Sequence, residues 1–256
     1  MSRIPVETRG GVPRRTFVKL CATTAAAVGV SPGVLARAGD APLRRYRKVR
    51  LTSGDGVPLK ASSLSPGITY VFNYPYRTTP CFLLDLGRAV ETRVDLRTEA
   101  GGRYTWPGGV GPRSSIVAFS AICAHKMSHP AKAVSFINYR PEEVSFRDHG
   151  EKLVRRSGVI FCCSEKSVYD PAAGARVLGG PAKQPLCTIL VDHDPADDGL
   201  YAIGSYGGEM FDKFFDTFAA RLQLEFGLTD VRTPVENASR VITIQEYSRT
   251  QMACGA

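Results

Sequence analysis

Short apolar segments separated by turn-forming residues dominate the sequence from residue 46 onward. They are YRKVRL, ITYVFNYP, CFLLDLG, SIVAFSAIC, AVSFINYR, EVSFRDHG, LVRRSGVIFCC, CTILVDH and GLYAIGSY. Each is rich in β-branched or aromatic residues, and Gly, Pro, Asn and Asp between them supply the turns. Runs of this length and spacing predict an all-β fold, an antiparallel β-sandwich or barrel. Asp198 and Gly199 predict a hairpin turn between the last two segments.

A different period appears near the C-terminus. In GGEMFDKFFDTFAARLQLEFG the large apolar residues recur at helical spacing, at Phe211, Phe214, Phe215, Phe218 and Leu222. Gly227 follows as a C-terminal cap, so the segment predicts an amphipathic helix. Packing of its apolar face on the chain's own sheet is the favoured interpretation, and docking of a partner on the Phe-rich face competes with it. The segment SRVITIQEYS predicts one more strand.

The first 38 residues are typical of an export leader. Arg14 and Arg15 precede Phe17, an Ala-rich stretch of moderate apolarity and then Ala-Arg-Ala at 36–38. This order of charged, apolar and small residues predicts a twin-arginine signal peptide at 1–38 and a periplasmic protein. Association with a membrane is expected only if this leader is retained as an anchor.

Charge and cysteine content narrow the classes of function. The formal charge is +9, of which the leader contributes +5, and the rest of the chain has no basic stripe interleaved with aromatic residues. Nucleic-acid binding is therefore not expected. Cys81 and Cys187 begin apolar runs and are interpreted as buried small hydrophobes. Cys123, Cys162 and Cys163 have the spacing that argues for metal.

Two short motifs contain the candidate ligands. Cys123 and His125 form a Cys-x-His pair directly after SIVAFSAI, and Cys162 begins CCSEKSVYD directly after GVIF. Two loops of this kind, each with a thiolate followed closely by a second donor, can hold a two-iron cluster from opposite sides. The cysteines would then bind one iron, and the imidazole would bind the other iron together with the second donor of the other loop.

These motifs resemble those of Rieske iron–sulfur proteins, C-x-H-x-G-C and C-P-C-H-x-S, followed by an aromatic-Asp pair and a G-P-A-x-x-P-L loop. The chain supplies Ser167, Tyr169 and Asp170 after the second motif and then GPAKQPL at 180–186. Outside the motifs, GITYVFNYPYRTTPCFLLDLG, GGVGPRSSIVAFSAICAHK and GLYAIGSYGG are similar to the small subunit of arsenite oxidase-type molybdenum enzymes. The likeness extends from about Gly67 to Gly208.

The resemblance implies a fold, a cofactor and partners. The fold would be a Rieske-type antiparallel β-sandwich at 39–208, with a smaller cluster-binding subdomain whose loops lie at 123–130 and 161–186. The helix and tail at 209–256 have no counterpart. The cofactor would be a [2Fe–2S] cluster, and the chain would be an electron-transfer subunit rather than a catalyst by itself. Its partners would be a molybdopterin-containing large subunit and a cytochrome c or cupredoxin.

Four departures from the family pattern stand out. Ser128 and Ser164 occupy the positions of the two cysteines that, in the family, form a disulfide between the motifs. Met127 stands where the family prefers Gly, which predicts strain in the first loop. The long spacer between the motifs predicts an inserted hairpin at about 131–152. The fourth departure is Glu165, in place of the second histidine.

Three interpretations of Glu165 remain open. In the first, Glu165 itself binds iron with Cys123, His125 and Cys162, and its negative charge then predicts a potential below the roughly −150 to +300 mV of Rieske centres. Alternatively His129, His149 or Cys163 is the fourth ligand. In the third interpretation the cluster is lost, and the chain is a structural or docking subunit that uses its Phe-rich helix.

Overall fold

The computed structural model describes residues 40–253. The predicted leader at 1–38 and the residues Cys21 and Cys254 lie outside this range. Within it the strands are β1 (Arg44–Thr52), β2 (Thr69–Asn73), β3 (Pro80–Asp85), β4 (Val94–Arg97), β5 (Arg103–Trp106), β6 (Ile116–Ser120), β7 (Val134–Ser135), β8 (Ile137–Arg140), β9 (Val144–Arg147), β10 (Leu153–Arg156), β11 (Val159–Cys162), β12 (Val168–Asp170), β13 (Arg176–Gly179), β14 (Thr188–Asp194), β15 (Gly199–Tyr206), β16 (Ala238–Arg240), β17 (Ile242–Thr243) and β18 (Thr250–Gln251). The α-helices are α1 (Met210–Phe226) and α2 (Ile244–Tyr247).

One large sheet organises the described residues. Its strand order is β16-β1-β15-β14-β6-β3-β2-β17, and its pairings are antiparallel except for β1 with β16. The predicted turn at Asp198 and Gly199 joins β14 to β15, whose ends pair Asp194 with Gly199. The predicted all-β fold with a C-terminal helix is confirmed.

The central strands of this sheet are buried on both faces. In β3, Cys81 and Leu83 point into one apolar cluster, while Phe82 and Leu84 point into another on the opposite face. Successive side chains of a strand alternate between faces, so a strand covered on both sides reads as a continuous apolar run. The run CFLLD is continuous for this reason.

Helix α1 covers the first face. Phe211, Phe214, Phe215 and Leu222 are buried in the same cluster as Leu83, and Gly227 caps the helix with φ of 64°. The interpretation that the helix packs on its own sheet is therefore confirmed. Because these Phe side chains are buried in this cluster, they are not available for docking a partner, and that alternative is wrong.

The opposite face is covered by a smaller sheet with the order β13-β12-β11-β8. Ile160, Cys162 and Tyr169 from this sheet share a cluster with Phe82 and Phe119 of the large sheet. This is the predicted smaller subdomain, and it places the end of β11 against the large sheet.

The inserted hairpin lies later in the chain than expected. Strands β9 and β10 pair as a separate two-stranded unit that covers 144–156. Residues 137–140, inside the predicted hairpin at 131–152, instead pair with β11 in the smaller sheet. The difference arises because β8 has a partner that is distant in sequence, which the local pattern does not reveal.

The C-terminal segment, of which residues 209–253 are described, contributes strands to the large sheet. Strand β16 pairs with β1 and β17 pairs with β2, so both edges of the large sheet are completed by residues that follow α1. The predicted strand in SRVITIQEYS is split, because the chain passes from β17 into α2. None of the helices formed by residues 40–253 has the length and apolarity needed to cross a membrane.

Candidate metal centre

Two tight loops begin where β6 and β11 end. In the first, the Cys123 amide donates to the carbonyl oxygen of Ser128 at 2.8 Å, and the Met127 amide donates to the carbonyl of Cys123 at 3.0 Å. In the second, the Cys162 amide donates to the carbonyl of Ser167 at 2.9 Å. Each loop is closed on itself by backbone hydrogen bonds, so its donors are held close together.

The two cysteines lie side by side in the apolar cluster between the sheets. Cys123 and Cys162 are fully buried. The neighbouring Cys162 thiol lowers the pKa of the Cys123 thiol, against the opposing effect of burial. Cys123, together with burial, raises the pKa of the Cys162 thiol. Cys123 therefore has the thiolate character that a metal ligand needs.

Two hydroxyl groups lie beside Cys123. Tyr169 Oη is 3.3 Å from Cys123 Sγ and accepts a hydrogen bond from the Ala124 amide at 3.1 Å, which leaves the hydroxyl hydrogen for the sulfur. Ser167 is close enough to contribute to the lowered pKa of the Cys123 thiol. Its Oγ is buried without a hydrogen-bond partner among the residues described. A buried hydroxyl without a hydrogen-bond partner costs free energy.

The second pair of predicted ligands also meets. His125 Nδ1 lies 3.1 Å from Glu165 Oε2, and Ser164 Oγ donates to Glu165 Oε1 at 3.0 Å. The side chains of His125 and Glu165 are 30% and 16% exposed, in contrast to the buried cysteines. A metal ion would use the lone pairs that this hydrogen bond now occupies, so metal binding would displace the proton between them.

All four predicted site residues thus lie together, in two pairs. The backbone of His125 lowers the pKa of the Cys123 thiol, and the backbone of Glu165 acts in the same direction on Cys162, so each pair adjoins the other. Among residues 40–253, no three or more His, Cys, Asp or Glu side chains are placed to hold one metal ion. That these four residues bind iron remains a prediction.

The three alternative fourth ligands are engaged elsewhere. Cys163 is disulfide-bonded, and its sulfur lies 3.2 Å from the carbonyl oxygen of Met252. A disulfide sulfur lacks the thiolate charge that binds metal. His149 Nε2 lies 3.4 Å from the carbonyl of Val177, and His129 is buried with Nδ1 bonded to the carbonyl of Met127. Glu165 is the candidate that the structure brings to His125.

The Gly-Pro-rich loop at 179–186 packs closely over the second loop. Gly180 has φ of 82°, and a Cβ there would overlap the carbonyl oxygen of Lys166. A Cβ on Gly179 would likewise overlap the carbonyl oxygen of Arg147 in the inserted hairpin. Glycine is therefore required at both positions, because the Gly-Pro-rich loop approaches the backbone of Lys166 and of Arg147 too closely for a side chain.

The inserted hairpin is tied to the strand that follows the second loop. Arg156 Nη2 donates to Asp170 Oδ2 at 2.7 Å, and the Asp170 side chain is only 3% exposed. A cavity of about 570 Å³ is lined by residues of the hairpin, of the second loop and of the Gly-Pro-rich loop, among them Arg147, His149 and Lys166. The sequence motif identified Asp170, but its partner Arg156 has no signature because the contact depends on where the hairpin folds.

Comparison with known proteins finds similarity to a solved structure. No family model matches the chain. The chain is similar to the soluble domain of the Rieske protein II (soxF) from Sulfolobus acidocaldarius, with 24% sequence identity and a TM-score of 0.42. The similarity covers 62% of this chain and 78% of that one.

Proposed function

We propose that the chain is an exported electron-transfer subunit with a Rieske-type [2Fe–2S] cluster. Cys123 and Cys162 would hold one iron, and His125 and Glu165 would hold the other. The observation that supports this most is the convergence of the four side chains in two pairs, sulfur with sulfur and imidazole with carboxylate. Two ligands per iron is the arrangement that a two-iron cluster of this type requires.

The chemistry of the surrounding residues fits the group. Cys123 has a lowered pKa, as a thiolate ligand should. The hydroxyl of Tyr169 is directed to its sulfur, and the orphaned Ser167 hydroxyl lacks an acceptor in the described structure. Hydrogen bonds to the sulfurs of a cluster are among the means by which a protein adjusts its potential.

A bound cluster would supply one-electron oxidation and reduction. The residues of the chain would keep water from the sulfur side, since Cys123 and Cys162 are fully buried. They would leave the other side accessible, because the side chains of His125 and Glu165 are partly exposed. Electron transfer to a partner would therefore take place on the His125 side.

The partners and the location belong to the same proposal. From the resemblance of 67–208, one partner would be a molybdopterin-containing large subunit, and the other a cytochrome c or a cupredoxin. The twin-arginine pattern at 14–15 supports export to the periplasm after folding. Folding before export would suit a chain that acquires its cofactor in the cytoplasm.

The test is iron and acid-labile sulfide analysis of the full chain purified from the periplasm, with spectra before and after dithionite. About two irons and two sulfides per chain and a bleachable visible spectrum are expected. Cys123→Ala should lose both. Cys187→Ala is the matched control, because Cys187 is also a fully buried free cysteine but lies in the cluster of apolar residues on the helix side.

A colourless wild-type protein without sulfide would instead favour a cluster-free structural subunit. Equal loss of iron in the Cys123→Ala and Cys187→Ala variants would indicate general destabilisation and count against the assigned ligands. Retention of the full spectrum in Cys123→Ala would contradict the assignment directly.

A further inference from the structure

Met127 is held in a conformation that costs free energy. Its φ is 61°, in the left-handed region, where a non-Gly residue is disfavoured. Its side chain is nevertheless buried, within the apolar cluster that α1 covers. A strained residue persists only where its surroundings determine it, so other contacts must hold the first loop in this form.

His129 supplies one of those contacts. Its Nδ1 lies 2.9 Å from the carbonyl oxygen of Met127. A carbonyl only accepts, so Nδ1 must carry the hydrogen, and Nε2 of the neutral ring is then an acceptor. That Nε2 is buried and has no hydrogen-bond partner within residues 40–253. The ring therefore has one polar contact, and that contact is to the strained residue.

Helix α1 holds the ring in place. The His129 ring packs edge-on against Phe214 at 4.8 Å and Phe218 at 5.0 Å between ring centroids. His129 is 8% exposed, and burial lowers its pKa. The neutral ring is thus fixed between two aromatic side chains of the helix and the backbone of the loop.

We propose that His129 is a positioning residue for the metal centre, through which α1 sets the conformation of the loop bearing Cys123 and His125. The part of this inference that concerns the metal centre rests on the proposed function. The helix that the family resemblance leaves without a counterpart would then act on the cofactor site without touching it. Met127 replaces the expected Gly, and the hydrogen bond from His129 offsets part of the resulting strain.

Three substitutions separate the hydrogen bond from packing. His129→Asn places an amide donor where Nδ1 now lies, His129→Gln moves the donor to the position of Nε2, and His129→Leu keeps apolar volume without a donor. The measurement is amide hydrogen exchange in the full-length protein at Met127 and Cys123. Their hydrogen bonds close the loop, and Ala202 in β15 serves as the internal reference.

In His129→Leu we expect the Met127 and Cys123 amides to exchange about tenfold faster, the factor for one lost hydrogen bond, with Ala202 unchanged. His129→Asn should stay within about threefold of wild type, and His129→Gln should behave like the Leu variant. In iron-loaded protein, the electron paramagnetic resonance signal should broaden in the Leu and Gln variants but not in the Asn variant.

Equal acceleration at Ala202 would mean that His129 supports the fold in general, and the proposal would fail. Unchanged exchange in His129→Leu, or no rescue by Asn, would also overturn it. Should His129→Leu not fold, Phe218→Leu tests the same point, because it loosens the ring without altering the donor. The hydrogen-exchange measurement needs no iron. A protein that binds no iron would contradict the proposed function, and the exchange rates alone would then decide whether His129 positions the loop.

Discussion

Glu165 is the residue on which the redox properties would depend. It meets His125 at 3.1 Å, in the position where a second imidazole is expected. As a ligand, its carboxylate would add a negative charge next to one iron, which would favour the oxidised state of a cluster. The proposed ligand exchange would therefore lower the potential.

Replacement of that charge tests its role. In iron-loaded protein, Glu165→His should raise the midpoint potential and make it pH-dependent, because a coordinated imidazole can lose its outer proton. The measurement is a redox titration at several pH values. Glu236→His, at an exposed residue outside both loops, is the control and should leave the potential unchanged. An unaltered potential in Glu165→His would count against Glu165 as a ligand.

A buried histidine makes stability depend on pH. Burial lowers the pKa of His129 below its ordinary 6.5, Arg221 lowers it further, and the hydrogen bond to Met127 and the charge of Glu225 act in the opposite direction. Below pH 6.5 the unfolded chain binds a proton that the folded chain does not. The stabilisation is therefore complete above pH ~6.5 and is lost as the pH falls toward the lowered pKa.

Urea unfolding of the iron-free protein measures this effect. Relative to His129→Asn, which cannot titrate there, the wild-type protein should lose up to ~1.4 kcal/mol of unfolding free energy per pH unit below 6.5. The comparison cancels the other titrating groups. A difference between the two proteins that does not vary from pH 7.5 to 5 would show that His129 is not held neutral.

At the scale of elements, α1 is a structural part of the fold. Its Phe side chains complete one face of the large sheet, and Phe214 also contacts His129. The sequence predicted this helix and its packing from helical spacing alone. It did not predict the contact with the first loop, because spacing along a helix shows which residues share a face and not what they meet.

Truncation on the two faces of α1 tests its role. Phe214→Ala should destabilise the protein by about 3–5 kcal/mol, because Phe214 is fully buried. Leu224→Ala on the same helix should change stability by less than about 0.5 kcal/mol, because Leu224 is 86% exposed. Chemical denaturation of both variants gives the comparison. Similar effects at the two positions would be inconsistent with the packing described.

At the scale of the whole molecule, the large sheet divides the described residues into two apolar layers. Helix α1 lies on one face and the smaller sheet lies on the other. The candidate metal centre lies at the ends of β6 and β11, where the second layer meets the loops. A site built from the ends of two strands in different sheets depends on both sheets being folded.

The strand segments, the helix and the four candidate ligands were readable from local patterns. Turn residues, alternation and helical spacing are short-range signals, and the Cys-x-His pair stands within three residues. The hairpin at 144–156 was predicted too early, because the pairing of β8 with β11 spans residues far apart in the chain. Within residues 40–253, five strands were not predicted: β4, β5, β12, β13 and β18.

The sequence by itself determined which donors exist and that Glu165 stands in place of a histidine. Tertiary structure decided which of them meet: it paired His125 with Glu165, left Cys163 in a disulfide and buried His129 against the helix. The physical reason is that a ligand set requires side chains from two loops to approach within a few ångströms. That approach is fixed by sheet packing over long sequence separations, which no local pattern encodes.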